Sequence, residues 1–305
     1  MTTRLTRSRL AAVLSVWALG LTLAACGGDP TEGEKSATDT ITVGSAAFPE
    51  NEIIAEIYAQ ALEAKDVKVE KKLNIGAREA YIPALENGEI DLLPEYSGNL
   101  LLYVDKNATA TAPDEVIAAL GDALPENLEI LEASEAEDKD SLNVTPEFSE
   151  KEGVKSIADL KKIKGLKVGA NPEFKERPYG VPGMEKVYGI TGVKFTAISD
   201  SGGPATLKAL LDGKVDVANI YSTTPSILAN KLVTLEDPES MIAAQNVVPL
   251  INSDKASDEV KEVLNGISAE LTTADLLDLN SKNQGEDKTA PAELAKQWLT
   301  DKGMI

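Results

Sequence analysis

Two arginines and four tyrosines carry most of the chemistry this sequence can offer. The chain has no histidine and one cysteine, Cys26, which removes serine–histidine and cysteine–histidine nucleophiles, histidine metal sites and disulfides. What remains suits binding better than turnover, and no cofactor is expected. Arg4, Arg7 and Arg9 stand at the N-terminus, so Arg78 and Arg177 are the only arginines beyond them, while 25 lysines are scattered along the chain. A guanidinium is a planar fork that matches a carboxylate, whereas lysine serves surface solubility equally well. Arg78 and Arg177 are therefore candidates for a ligand or for a contact between lobes; the alternative is a salt bridge holding a loop, for example to Glu79 or Glu176. Aromatic residues make up only 4% of the chain, yet Tyr81, Tyr96, Tyr179 and Tyr221 fall near predicted strand ends and loops on one side of the fold. Tyrosine faces hold a cation that has no hydrogen bond to give, each desolvated contact contributing roughly 0.5–2 kcal/mol. Three such contacts supply about 2–6 kcal/mol of the roughly 8 that micromolar affinity needs. A second anchor is required, and an arginine or a helix N-terminus holding a carboxylate would provide it.

The elements that position these residues are written twice. Ala84–Ser97 reads ALENGEIDLLPEYS and Ala209–Ser222 reads ALLDGKVDVANIYS, a shift of 125 positions that also carries Gly44 of ITVGS onto Gly169 of LKVGA. In the first copy, Ile41–Ser45 reads as a strand. A helix opened by Pro49-Glu50-Asn51 follows, with apolar residues from Ile53 to Leu62; then come a strand over Val67–Leu73, a helix over Ala77–Glu86 stopped by Asn87-Gly88, and a strand at Ile90–Leu93. The second copy places strands at Leu166–Ala170, Val193–Ile198 and Val215–Tyr221, with helices near Gly183–Tyr188 and Ala205–Leu211. Strand, helix, strand in this order builds a parallel sheet covered by helices. The prediction is an α/β, two-lobed fold, each lobe a mostly parallel sheet, with a ligand cleft at the carboxyl ends of the strands where the lobes meet. Ser45, Phe48, Asn51, Arg78, Tyr81 and Tyr96 face that cleft from one lobe; Asn171, Arg177, Tyr179, Ser201–Gly203, Asn219, Tyr221, Thr223 and Thr224 face it from the other. Asp91 and Asp216 could pair as acid and base, but each follows a glycine turn at the strand end away from the cleft, which assigns them to the turn.

Residues 1–25 read as a secretion signal: Arg4, Arg7 and Arg9, then the apolar run Leu10–Leu23, then Ala24-Ala25 before Cys26. Leu23-Ala24-Ala25-Cys26 looks like a lipobox, with Cys26 lipidated, and residues 26–40 then form a polar tether. Residues 41–138 with 243–305 are assigned to lobe 1 and 139–242 to lobe 2. The chain carries a formal charge of −20, and removing the three arginines of the signal makes it −23, a surface that repels nucleic acid.

Together, LAAC, PENEIIAEIYAQALE, ALENGEIDLLPEYSG, ERPYGVPGMEKVYG, DVANIYSTTPSI and AAQNVVPLI resemble the substrate-binding lipoproteins of osmoprotectant ABC transporters, the glycine betaine, carnitine and choline group. The resemblance spans Ile41 to Gly303. It implies a type II periplasmic-binding-protein fold, a monomer held to the outer face of the cell membrane through Cys26, a small quaternary-ammonium or zwitterionic solute as ligand, and delivery to a permease with its ATPase. It carries cage tyrosines onto Tyr96 and Tyr221. Family members often read ERPDG where this chain has Glu176-Arg177-Pro178-Tyr179-Gly180, and YSTD where it has Tyr221-Ser222-Thr223-Thr224. Where many carry a further cage tyrosine it has Lys139-Asp140-Ser141-Leu142, so either Tyr179 supplies that ring or the pocket takes a different ligand. A receptor for another small zwitterion or an amino acid, a sensory lipoprotein, and an extracytoplasmic enzyme on the same fold are the competing readings.

Overall fold

The computed structural model describes residues 40–305. The expected signal, the lipidation at Cys26 and all of the tether but Thr40 lie outside the described residues. From the amino end run β1 (Ile41–Gly44), α1 (Pro49–Glu63), β2 (Val69–Lys72), α2 (Arg78–Glu86), β3 (Leu92–Tyr96), α3 (Ser97–Val104), α4 (Pro113–Ala123) and β4 (Leu128–Ile130). The second lobe holds β5 (Asp140–Val144), α5 (Pro146–Glu152), β6 (Lys167–Ala170), α6 (Val181–Tyr188), β7 (Lys194–Ala197), α7 (Pro204–Leu211), β8 (Val217–Tyr221), α8 (Ser226–Ala229) and β9 (Val233–Thr234). The chain then returns as β10 (Val247–Asn252) and ends in α9 (Asp258–Glu270), α10 (Thr273–Gln284) and α11 (Pro291–Asp301).

The first sheet has the order β2-β1-β3-β10-β4 and the second β7-β6-β8-β5-β9, the same arrangement twice. In each, one strand runs against the rest: β10 is antiparallel to β3 and β4, and β5 is antiparallel to β8 and β9. The sheets are therefore mixed, and the reversed strand is in both cases the one delivered by the crossover. A chain arriving from the other lobe enters at the cleft edge, where Val247 pairs with Tyr96 and Asp140 with Tyr221, and can only run away from it. The two crossovers lie side by side. Val247 N–H donates to Ala136 O at 2.9 Å and Asp138 N–H to Gln245 O at 3.2 Å. The N-terminus of α3 lies against this ribbon because Gly98 has no Cβ: one placed there would sit 2.5 Å from Ala244 O.

Sequence accounts for most of these elements. Pro49 starts α1 without leaving a donor unpaired, Glu50 and Glu52 stand in its first turn, and Ile53, Ile54, Ile57, Tyr58 and Leu62 are buried. Those side chains pack on Leu294, Trp298 and Leu299 of α11, so the carboxyl-terminal helices complete the first lobe's core; each buried aliphatic contributes about 1.5–3 kcal/mol. The third strand of each copy starts two residues later than the hydrophobic run. Asp91 and Asp216 stay outside the ladders and lock them at their base: Asp91 Oδ2 accepts from Thr42 N–H at 2.8 Å and Asp216 Oδ2 from Lys167 N–H at 2.9 Å. Helices α3, α5 and α8 have no counterpart in the sequence reading.

Asp91→Ala leaves the Thr42 amide without its partner where Asp91 is buried, and is expected to lower unfolding stability by about 1–3 kcal/mol. Asp216→Ala should cost less, since that side chain is 20% exposed. Urea titration of both variants checks the order, and equal losses would contradict it.

Candidate ligand-binding site

The carboxyl ends of β1, β3 and β8 bring three rings to one place. Phe48, in the turn before α1, lies 5.9 Å from Tyr96 at a tilt of 34° and 5.3 Å from Tyr221 at 63°, centroid to centroid. They wall a cavity of about 250 Å³ between the lobes, which Gly76, Arg78, Tyr81, Asn99, Asp138 and Asp140 also line, with Asn171, Glu173, Arg177, Asp200 and Ser201 opposite. This volume lies just below the usual range of about 300–1,000 Å³ for small-molecule sites, which restricts it to a compact solute. Tyr221 belongs to one lobe and the other two rings to the other, so the aromatic wall is complete only when the lobes meet.

Arg78 and Tyr81 reach this cavity from α2, yet both are tied to Glu95. Arg78 donates from Nε to Oε1 at 2.7 Å and from Nη2 to Oε2 at 2.8 Å, and Tyr81 OH donates to Oε1 at 2.8 Å. Glu95 is fully buried and Arg78 nearly so, hence the pair sits where a lone charge is costly. Burial works against the Arg78 charge, and the Glu95 carboxylate more than restores it, raising its pKa. Arg177 crosses between lobes. It donates from Nη2 to Glu79 at 3.1 Å and from Nη1 to Tyr179 OH at 2.9 Å. Both forks named by the sequence are thus engaged by protein groups: Arg78 by a salt bridge within its lobe, Arg177 by one between lobes.

A second polar node lies beside the rings. Glu50 is buried and receives Tyr96 OH at 2.8 Å, Thr223 Oγ1 at 2.6 Å and Asn280 Nδ2 at 2.6 Å. Asp138, in the first crossover, accepts from Thr223 N–H and Ser222 Oγ, each at 3.1 Å. Burial raises the pKa of both carboxyls; at Asp138 the neighbouring Glu50 charge adds to the rise, while the donors on Glu50 oppose it. Burial also raises Tyr96, with Glu50 contributing.

The remaining predicted residues are spread out. Tyr179 does not line the cavity of Phe48, Tyr96 and Tyr221. It packs edge-on against Phe174 at 6.3 Å within the second lobe's core and lines an adjoining cavity of about 430 Å³ with Tyr103 and Arg177; burial pushes its hydroxyl up to about 12. Ser45 is fully buried, its Oγ accepting from Asn74 N–H at 2.8 Å, and Asn219 is buried with Nδ2 3.5 Å from Ser141 O; neither lines the cavity. Thr223 and Thr224 line a third space of about 580 Å³ on the far side of Phe48 and Tyr221. Glu50, Glu95, Asp138 and Asp140 are absent from the sequence-based site. Glu50 stands in the first turn of a helix already placed at the cleft, which is a usable signal; the others sit in a buried strand and in the crossover, where neither period nor repeat marks them. Among the described residues no helix is long and apolar enough to cross a membrane, and no cluster of His, Cys, Asp and Glu could hold a metal ion.

The family model for the substrate binding domain of the ABC-type glycine betaine transport system matches residues 39–301. The chain is 28% identical to the glycine betaine-binding protein YehZ of Escherichia coli over 306 residues, covering 95% of this chain and 98% of that protein. It is 24% identical to the carnitine transport binding protein OpuCC of Listeria monocytogenes over 87% of each chain. A solved structure described as a glycine betaine/carnitine/choline ABC transporter superposes with a TM-score of 0.68 at 22% identity, covering 87% of this chain and 99% of that one. Lactococcal OpuAC, closed on glycine betaine, gives 0.62 at 18%, covering 87% and 96%. The shared fold is the two-lobed type II periplasmic binding protein.

Two outcomes follow from the paired charges. Arg78→Ala strands Glu95 in the core and is expected to cost about 3–5 kcal/mol of stability with no solute present; denaturant unfolding measures it, and a loss below about 1 kcal/mol would assign the arginine to a ligand instead. Glu50 holds its proton above its ordinary 4.5 when folded, so the folded chain binds more protons than the unfolded one and loses stability as pH rises from that value. Melting temperatures taken from about pH 5 to about pH 8 should therefore fall more steeply for the parent chain than for Glu50→Gln; parallel curves would refute the assignment.

Proposed function

The chain belongs to the family of substrate-binding domains of ABC-type glycine betaine transport systems, and from that membership we propose that it captures a small quaternary-ammonium solute between Phe48, Tyr96 and Tyr221 and delivers it to an ABC permease. Members of this family work outside the cytoplasm, handing solute to the importer. The observation that supports the ligand class is the aromatic wall itself: three rings, drawn from both lobes, on a cavity of about 250 Å³. A quaternary ammonium cannot donate hydrogen bonds, so ring faces are the groups that reward it, at roughly 0.5–2 kcal/mol each. Solute touching Tyr221 on one side and Phe48 and Tyr96 on the other favours the closed arrangement over the open one, and closure supplies the signal to the permease.

We take the lobes as 41–138 with 243–305 and 139–242, the chain as a monomer, and Cys26 as its lipid anchor to the outer face of the cell membrane. Solute is released unchanged. Ser201 lines the cavity, but a chain without histidine offers no imidazole to activate it.

Solute that binds only the folded state must raise the melting temperature, by the equivalent of about 2.7 kcal/mol at a hundredfold excess over Kd. A screen with glycine betaine, choline, carnitine, proline betaine, ectoine and proline should show shifts with quaternary-ammonium compounds, and Tyr221→Ala or Phe48→Ala should abolish them. A shift with proline alone, or shifts that survive both substitutions, would overturn the cage.

A further inference from the structure

The walls of the cavity carry more carboxylates than guanidiniums. Asp138, Asp140, Glu173 and Asp200 line it against Arg78 and Arg177, and each of those guanidiniums already bridges a glutamate, Glu95 or Glu79. Asp138 is occupied, its Oδ1 accepting from Thr223 N–H and Ser222 Oγ, and three further carboxylates face two guanidiniums that are already bridged. Asp200 is occupied too: Oδ2 accepts from Ala205 N–H at 2.6 Å and Thr206 N–H at 3.1 Å at the start of α7. Asp140 is different. It is 7% exposed and lines the cavity, and Oδ2 accepts from Asn99 Nδ2 at 2.8 Å. Its Oδ1 has no hydrogen-bond partner among the described residues. Asp140 stands directly opposite Tyr221 in the β5–β8 ladder, and residues so paired share a face of the sheet with their Cβ atoms about 4.5–5.5 Å apart. A cation resting on the Tyr221 ring lies beside this carboxylate.

A glycine betaine carboxylate in this cavity would meet like charges and no free arginine fork, a juxtaposition that works against binding. An alcohol at the same place would donate to Oδ1. Resting on the reading that the aromatic wall holds a quaternary ammonium, we propose that the solute is a monocation with a hydroxyl group, a quaternary ammonium alcohol, and that Asp140 is the residue that selects it over the zwitterion.

Isothermal titration of the full chain with choline and with glycine betaine compares two solutes that differ in that end alone. Choline should bind at least about tenfold more tightly, and Asp140→Asn, which keeps an acceptor for Asn99, should weaken choline at least about tenfold without weakening glycine betaine. Asp140→Glu keeps the charge and should retain the preference for choline. Glycine betaine binding as tightly as choline, or Asp140→Asn weakening both equally, overturns the assignment of Asp140 and leaves the cage standing. Neither solute binding the parent chain overturns the cage and this inference with it. The melting temperature of each variant without solute separates lost folding from lost affinity.

Discussion

Burying a carboxylate costs several kcal/mol unless donors converge on it, and in this chain the donors that converge on Glu50 come from places far apart in sequence. Tyr96 closes β3, Thr223 follows β8 in the other lobe, and Asn280 belongs to α10 in the carboxyl-terminal tail. The same carboxylate therefore fixes one ring of the aromatic wall, holds the second lobe against the first and ties the tail to the cleft. Swinging the lobes apart removes Thr223 from Glu50. One group thus takes part in both the shape of the cavity and the closure of the lobes, beside the Arg177–Glu79 and Asn99–Asp140 contacts.

Charge is distributed around the cavity by a related constraint. Arg78 cannot be spared from Glu95, because removing either partner leaves an uncompensated charge in the core, and Arg177 is committed across the cleft to Glu79. The sequence leaves each guanidinium between a ligand, a contact between lobes and a salt bridge; both are in salt bridges, Arg177 with the Glu79 named among the alternatives. The acidic residue that lines the cavity with one oxygen unpartnered among the described residues is Asp140, on the exchanged strand, opposite Tyr221.

The repeat of 125 positions made the two lobes legible, because equal spacing of Gly, Asp and Tyr demands equal topology, and the sheets do share one strand order. Tyr96 and Tyr221 were legible for the same reason, as strand-end aromatics in a chain with few. The reversal of β5 and β10 was not, since hydrophobic runs carry no direction; it follows from where each crossover enters. Glu95 was hidden because β3 is buried on both faces, so an inward carboxylate breaks no alternation. Asp138 lies in the crossover and Asp140 opens β5, both outside the repeated segments. Tyr179 stands in a loop on the cleft side, where the sequence allows it to replace a cage ring, but its ring packs on Phe174 while Arg177 reaches Glu79.

Sequence symmetry also conceals a difference between the equivalent tyrosines. Tyr96 is 5% exposed and its hydroxyl is held by Glu50, so its ring is part of the fixed floor of the first lobe. Tyr221 is half-buried, and its hydroxyl makes no hydrogen bond among the described residues. Its position comes from the β5–β8 ladder and from Phe48, and the second of those contacts exists only between closed lobes. One tyrosine is preorganised, while the other arrives with its lobe. A cation bound between them contributes to closure in proportion to what Tyr221 and Asp140 add, because Tyr96 and Phe48 are present in the open form as well. Discrimination between solutes is then a property of the moving lobe, and a solute that contacts the floor alone occupies the cavity without closing it.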